Sequence, residues 1–278
     1  MSDWFFTSDL HGQSDFYEQA LAEAAAGSAR ALVIGGDLCP HAVGEAGLER
    51  QRLFLEGTLV EFARRVRERV PGCELLLLMG NDDWWANHAV LERHDGDLWR
   101  LLHDRVLEVD GLAIAGLSWV PITPFAMKDW ERWEDGEPED APRLQGWSSR
   151  EGEMREFAFD PDRRSPTIAE ALESLGTRCV PGETVCVLHS PPRGTRCDVM
   201  SGGRHVGSRA IRRWVETHQP PLVLSGHIHE SPRVSGAWRD TVERSIVVNP
   251  GQFGSPRLCG VWFDPARPDA TLRHTVHP

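Results

Sequence analysis

Seven side chains suited to binding a metal ion stand just past five short apolar runs. Asp9 and His11 follow Trp4-Phe5-Phe6-Thr7, Asp37 follows Ala31-Leu32-Val33-Ile34 and two glycines, and Asn81 follows Leu75-Leu76-Leu77-Leu78-Met79 and Gly80. His189 follows Thr184-Val185-Cys186-Val187-Leu188, and His227 with His229 follow Leu222-Val223-Leu224-Ser225-Gly226. Two carboxylates, an amide oxygen and four imidazoles mix hard oxygen with borderline nitrogen donors, a set that suits Mn, Fe, Zn or Co better than Ca or a thiolate-seeking metal. Each residue alone carries little weight, since a single His or a turn Asp is more often structural. Their recurrence at successive strand exits carries the reading. Seven ligands exceed one tetrahedral ion and match two ions sharing a carboxylate, for which Asp37, short and rigid on its glycine turn, is the natural bridge. Two ions roughly 3.5–4 Å apart turn a bridging water into hydroxide and hold phosphoryl oxygens, so the chemistry implied is hydrolysis of a phosphate ester.

The elements that must position these residues read as β-α units. Asp15 to Gly27 carries Phe16, Ala20, Leu21 and Ala24 at helical spacing with Gly27 as a stop, and Leu48 to Val70 is an amphipathic helix ended by Pro71-Gly72. Continuous apolar runs between such helices are expected of buried parallel strands, whose carboxyl ends are where sites form. Trp84 to Leu102 reads as helical, Val106 to Trp119 as a hairpin around Asp110-Gly111, and Thr167 to Leu175 and Arg209 to His218 as helices, the last capped by Ser208. Ser245 to Asn249, Leu258 to Phe263 and Thr271 to Val276 read as β pieces of a second sheet packed on the first.

Between 120 and 166 no period survives, and Asp129 to Asp140 holds seven acidic residues in twelve. This stretch reads either as an insertion forming a lid over the site or as a solvated surface loop. The tryptophans at 84, 85, 119, 130, 133 and 147 would pack this insertion on the core or offer a stacking wall, with packing the better expectation. The whole of 1–278 is expected to be one α/β domain.

Thirty basic against 42 acidic side chains give a net charge of −12, which argues against a broad grip on nucleic acid and for a small phosphorylated substrate drawn in locally. Six cysteines without a C-x-x-C pair fit reduced thiols. No signal peptide or membrane-spanning run is evident, so the expectation is a cytoplasmic protein without membrane attachment. Oligomeric state is not legible.

The ordered set Asp9-x-His11, Gly36-Asp37, Gly80-Asn81-x-Asp83, His189 and Gly226-His227-x-His229 resembles the calcineurin-like metallophosphoesterase superfamily from residue 7 to about 230. The stretch from His205-Val206-Gly207-Ser208 to Asn249-Pro250-Gly251 further resembles its Icc-related branch. The resemblance implies a four-layer αββα sandwich of two central mixed sheets flanked by helices. It implies one divalent ion on Asp9, His11, Asp37 and His229 and another on Asp37, Asn81, His189 and His227, with manganese the first choice. Many members have His where this chain has Asp82; an Asp at its ordinary pKa of about 3.9 donates protons poorly unless burial raises it. Asp82 and His205 are the candidates for catalytic proton transfer, and Arg204 and Asn81 for substrate binding, with Arg209 near the same loop. The function classes are a hydrolase of a phosphodiester or phosphomonoester, with nucleotides and cyclic nucleotides among the candidates, a nuclease of the same fold, and a non-catalytic metal-binding scaffold.

Overall fold

The computed structural model describes residues 3–135 and 143–277, so residues 136–142 of the acidic stretch lie outside the described part. The apolar runs become strands buried on both faces. In the first sheet Trp4–Thr7, Ala31–Ile34, Glu74–Leu77 and Arg100–Leu101 run parallel, extended beyond Trp4–Thr7 by antiparallel Val261–Phe263 and Arg273–His274. The second sheet also has four parallel strands, but one antiparallel strand at each edge. Ser245–Val248, Leu222–Leu224, Val185–Leu188 and Leu112–Leu117 are parallel, with antiparallel edges Arg239–Val242 and Arg105–Val109.

The two-residue strand period divides these side chains between two cores. Phe5, Leu32, Ile34, Leu75 and Leu77 pack with residues of the helices Ser14–Gly27 and Val60–Arg69. Trp4, Phe6, Val33 and Leu76 instead meet Val185, Val187, Leu222, Leu224 and Val248 between the sheets. Cys186, Leu188, Val223 and Val247 pack with the helices Ile168–Gly176 and Arg209–His218. The result is helix, sheet, sheet, helix, the expected four-layer architecture. Each fully buried Phe or Leu contributes about 1.5–3 kcal/mol relative to exposure.

Local signals hold in several places. Ser208 Oγ accepts from the amide of Ile211, capping the helix Arg209–His218. The hairpin joining Arg105–Val109 to Leu112–Leu117 turns at Asp110 and Gly111, both left-handed (φ 51° and 77°), as a two-residue turn of matching twist requires. The helix expected over 48–70 is one rod from Glu45 to Arg69, with a π turn at Leu55–Leu59.

Three expectations need correction. The left-handed residue ending the first helix is Ser28 (φ 50°); Gly27 is small because a Cβ there would lie 2.2 Å from the Trp262 ring. Residues 84–102 form only the turn Trp85–Asn87 and the short helix His88–Glu92 before the strand Arg100–Leu101. The large side chains there are anchored separately, with Trp84 Nε1 donating to the carbonyl of Ala42 and Trp99 Nε1 to that of Leu91. Val261–Phe263 and Arg273–His274 return to the first sheet, not the second. Pairing of Trp4 with Phe263 and Phe5 with Trp262, rings 6.0 and 5.0 Å apart, draws them there.

All six cysteines are free, and among the described residues no helix is long and apolar enough to cross a membrane.

Candidate metal centre

The parallel strands of both sheets end at a common edge, and the candidate ligands stand on the turns leaving them. The first sheet supplies Asp9, His11, Asp37 and Asn81; the second supplies His189, His227 and His229. Backbone hydrogen bonds join these turns, the amides of Asp9 and His11 donating to the carbonyls of Gly36 and Asp37 and that of Gly226 to His189. The amide of His227 donates to Asp9 Oδ1 at 2.9 Å, tying the sheets together. Asp9, His11, Asp37 and His227 all have positive φ, between 46° and 63°. Few residues other than glycine adopt this region, Asp and His among those that do so most readily, and here it turns the donors off the strand ends.

Asp37 is central. Its Oδ2 lies 3.5 Å from His189 Nε2 and 3.9 Å from His11 Nε2, while its Oδ1 accepts from the Asp82 amide at 2.8 Å. Asn81 Oδ1 is 3.2 Å from His189 Nε2. The rings of His189 and His227 are 5.4 Å apart and those of His11 and His229 5.7 Å, so the imidazoles fall into two pairs. Two clusters offer donor atoms within 4.8 Å of one another, Asp9 with Asp37 and His189, and His11 with Asp37 and Asp82. Asp37 belongs to both.

The glycines make room for this convergence. A Cβ on Gly80 would lie 2.2 Å from Asp37 Oδ1, and one on Gly226 would lie 2.3 Å from Asp9 Oδ2.

Protonation follows from burial and mutual charge. Burial raises the Asp9 carboxyl above the ordinary range despite the neighbouring imidazoles. For Asp37 burial acts upward too, but the charge and hydrogen bond of His189, with His11, outweigh it and hold the carboxyl well below that range. Burial alone would lower His189; Asp37 and Asp9 reverse this and push it up to about 9. His227, buried and beside His189, is pushed down to about 3, leaving a neutral imidazole able to ligate.

The residues fit a metal centre on two grounds. The donors are those expected for divalent transition ions. Asp9 Oδ2 and both ring nitrogens of His11 are buried without any hydrogen-bond partner, the sort of orphan that bound ions satisfy.

A cavity of about 760 Å³ opens over these residues, reached by His11, Asp37, Asn81, Asp82, His227 and His229. Arg204 and Arg209 also line it, whereas His205 does not; its Nδ1 lies 2.7 Å from Asp198 Oδ1 beside the rim. Phe125 and Phe253, unusually exposed at 54% and 47%, present rings to this space.

Sequence reasoning gave no role to three residues that shape the site. Asp83 accepts from the amides of Gly80, Leu38 and Cys39, clamping the second and third exits together, and its burial near Asp37 raises it to about 6. Asn249 Nδ2 donates to the carbonyls of Cys197, Gly226 and Ile228, fixing the His227 loop. His41, four residues past Asp37 on the same strand exit, lines the cavity with Nδ1 2.7 Å from Asp82 Oδ2. Asp83 and Asn249 had a local signal, their places in Gly80-Asn81-x-Asp83 and Asn249-Pro250-Gly251; His41 had none.

The acidic stretch is less solvated than its composition suggests. Asp129 and Glu131 are fully buried. Asp129 accepts from the Trp85 and Ser149 amides and from the hydroxyls of Ser148 and Ser149. Glu131 pairs with Lys128 Nζ at 2.7 Å and accepts from the Thr123 hydroxyl. Trp119 and Trp130 pack with Trp85, the expected packing role, while Trp133 reaches the cavity.

The sequence profile of the calcineurin-like phosphoesterase family matches residues 5–231, and the chain belongs to that family. No functionally curated protein matches the chain by sequence. One solved structure superposes with a TM-score of 0.64 at 16% identity, with 98% of each chain covered. The protein TT1561 of Thermus thermophilus superposes at 0.59 and 17% identity, over 98% of this chain and 97% of that one. A dimetal phosphatase from Danio rerio follows at 0.52 and 11% identity, over 94% and 92%. At these identities the structures attest the fold. The family uses a dinuclear divalent metal centre, and the chain is a metal-dependent phosphoric ester hydrolase.

Proposed function

We propose that the protein hydrolyses a small phosphodiester or phosphomonoester, nucleotide-like in having an aromatic group, at two divalent ions held by Asp9, His11, Asp37, Asn81, His189, His227 and His229. The observation that carries this reading is Asp37, whose Oδ2 lies 3.5 Å from His189 Nε2 and 3.9 Å from His11 Nε2, one imidazole of each pair. Asp9, His11 and His229 would complete one ion's shell with Asp37, and Asn81, His189 and His227 the other's. Manganese is the first choice, with Fe, Zn or Co also suited. Bound there, the ions supply an activated water and neutralise the phosphoryl oxygens.

The chain's own residues orient and enclose the substrate. Asn81 and Arg204 bind phosphoryl oxygens, while the exposed rings of Phe125 and Phe253 offer apolar faces to a base or aryl group. Asp82 lines the cavity as a participant in proton transfer; His205, at the rim and paired with Asp198, would act only on a substrate reaching that far. Residues 120–166 are read as an insertion of a single domain spanning 1–278, forming a wall or lid, because Ile122, Thr123, Phe125 and Trp133 line the cavity. A charge of −12 supports a small substrate over a nucleic acid, and the protein is expected in the cytoplasm.

Replacing Asp37 with Ala removes the shared carboxylate. Mn²⁺-dependent hydrolysis of bis(p-nitrophenyl) phosphate should then fall to background while circular dichroism stays native; full activity in the folded variant would refute the shared-carboxylate reading.

A further inference from the structure

The leaving oxygen of an ester needs a proton as its bond to phosphorus breaks, and two imidazoles close on the carboxylate of Asp82 beside the cavity. Asp82 Oδ2 lies 2.7 Å from His41 Nδ1 and 3.6 Å from His11 Nδ1, while Asn81 Nδ2 donates to its Oδ1 at 3.2 Å. Surrounded by donors, this carboxylate is arranged to accept hydrogen bonds. It also lies on a fixed backbone, since its carbonyl accepts from Gln51 Nε2 and its amide donates to Asp37. His41 sits at the opposite end of the pair, 61% exposed and on the cavity lining. With Nδ1 engaged by Asp82, its Nε2 is the ring nitrogen left for a ligand.

We propose that His41 is the proton donor to the leaving group, with Asp82 as the positioning residue that fixes its tautomer and angle. This assignment rests on the phosphoester reading and adds a residue to it. As the bond between phosphorus and the leaving oxygen breaks, the proton on His41 Nε2 passes to that oxygen and releases the alcohol. The incoming water oxygen bonds to phosphorus, a water proton passes to solvent, and the now neutral His41 regains a proton from solvent. The hydrogen bond that His41 donates to Asp82 also raises His41 above the ordinary imidazole value, against partial burial. The pair assigns distinct tasks to two side chains drawn from different strand exits.

A series of phosphate esters of graded leaving-group basicity, from p-nitrophenyl to simple alkyl, tests the assignment on the Mn²⁺-loaded protein. A general acid flattens the dependence of kcat on leaving-group pKa, because a poor leaving group gains most from protonation. His41→Ala should lower turnover more steeply as the leaving group becomes more basic, with alkyl esters losing about 10²-fold more than p-nitrophenyl esters. His41→Gln, which keeps a hydrogen-bond donor toward Asp82, should steepen the plot in the same way, and Asp82→Asn should steepen it less. A uniform loss across the series, or a wild-type slope in His41→Gln, overturns the assignment. Hydrolysis of the p-nitrophenyl ester by the wild-type protein checks the phosphoester reading separately, so the two fail through different measurements.

Discussion

The five strand exits and the segment from 120 to 166 are two ways of building one cavity. At the exits each ligand follows a buried strand by a few residues, and the sheets bring all the exits to one edge. Among the described residues of the segment there is little regular structure beyond short pairs such as Val120–Pro121 with Glu131–Arg132 and Gln145–Ser148 with Arg155–Ala158. Its order comes instead from buried charges, with Asp129 gathering amides and hydroxyls and Lys128 paired to Glu131. Repetition positions the proposed metal ligands, whereas individual polar anchors position the wall above them. The first should tolerate loss of a wall anchor, and the second should tolerate loss of a ligand.

The largest effect should come from breaking an anchor. Lys128→Met leaves Glu131 buried without its cation, and removing one partner of such a pair costs about 3–5 kcal/mol. Urea unfolding should show that loss, while metal affinity changes little; an unchanged midpoint would mean the pair does not organise the wall. Gly80→Ala makes the converse break, adding one methyl 2.2 Å from Asp37 Oδ1. Turnover should fall about 100-fold, as expected of a roughly 1 Å displacement at a reacting centre, while the rate of proteolysis at 120–135 and 143–166 stays that of the wild type. Proteolysis that rises in step with the loss of turnover would erase the distinction between the regions.

Proton linkage gives a smaller, graded effect confined to the exits. His189 is held at about 9, so the metal-free protein carries its proton at neutral pH, and a cation binding there as proposed would have to displace it. Apparent Mn²⁺ affinity should therefore rise with pH between about 6.5 and 8.5, by about tenfold per unit for each proton released. Calorimetry in two buffers of different ionisation enthalpy counts those protons, and a pH-independent affinity would show that the imidazole is already free.

The same contrast explains what could be read in advance. The gathering of Asp9, His11, Asp37, Asn81, His189, His227 and His229 at one edge was legible because a continuous apolar run implies a buried strand, and the residue after such a run has a predictable place. The layers were legible for the same reason. The return of Val261–Phe263 to the first sheet was not, because partner choice there is decided by ring contacts with Trp4 and Phe5 across more than 250 residues. The helix expected after Trp84 failed because its apolar spacing served separate anchors. His41 was invisible since its meaning lies wholly in Asp82, which arrives from another strand exit. Buried Asp129 and Glu131 were hidden in a run whose composition suggests solvent.

The central claim is that one carboxylate, Asp37, is shared between two ions. Titrating metal-free protein with Mn²⁺ and counting bound ions by calorimetry and metal analysis tests this most directly. The account predicts two ions per chain for the wild type and at least 100-fold weaker binding of both in Asp37→Asn, about 2.7 kcal/mol per ion. A wild-type protein that saturates at one ion, or an Asp37→Asn variant that still binds two with undiminished affinity, would contradict it.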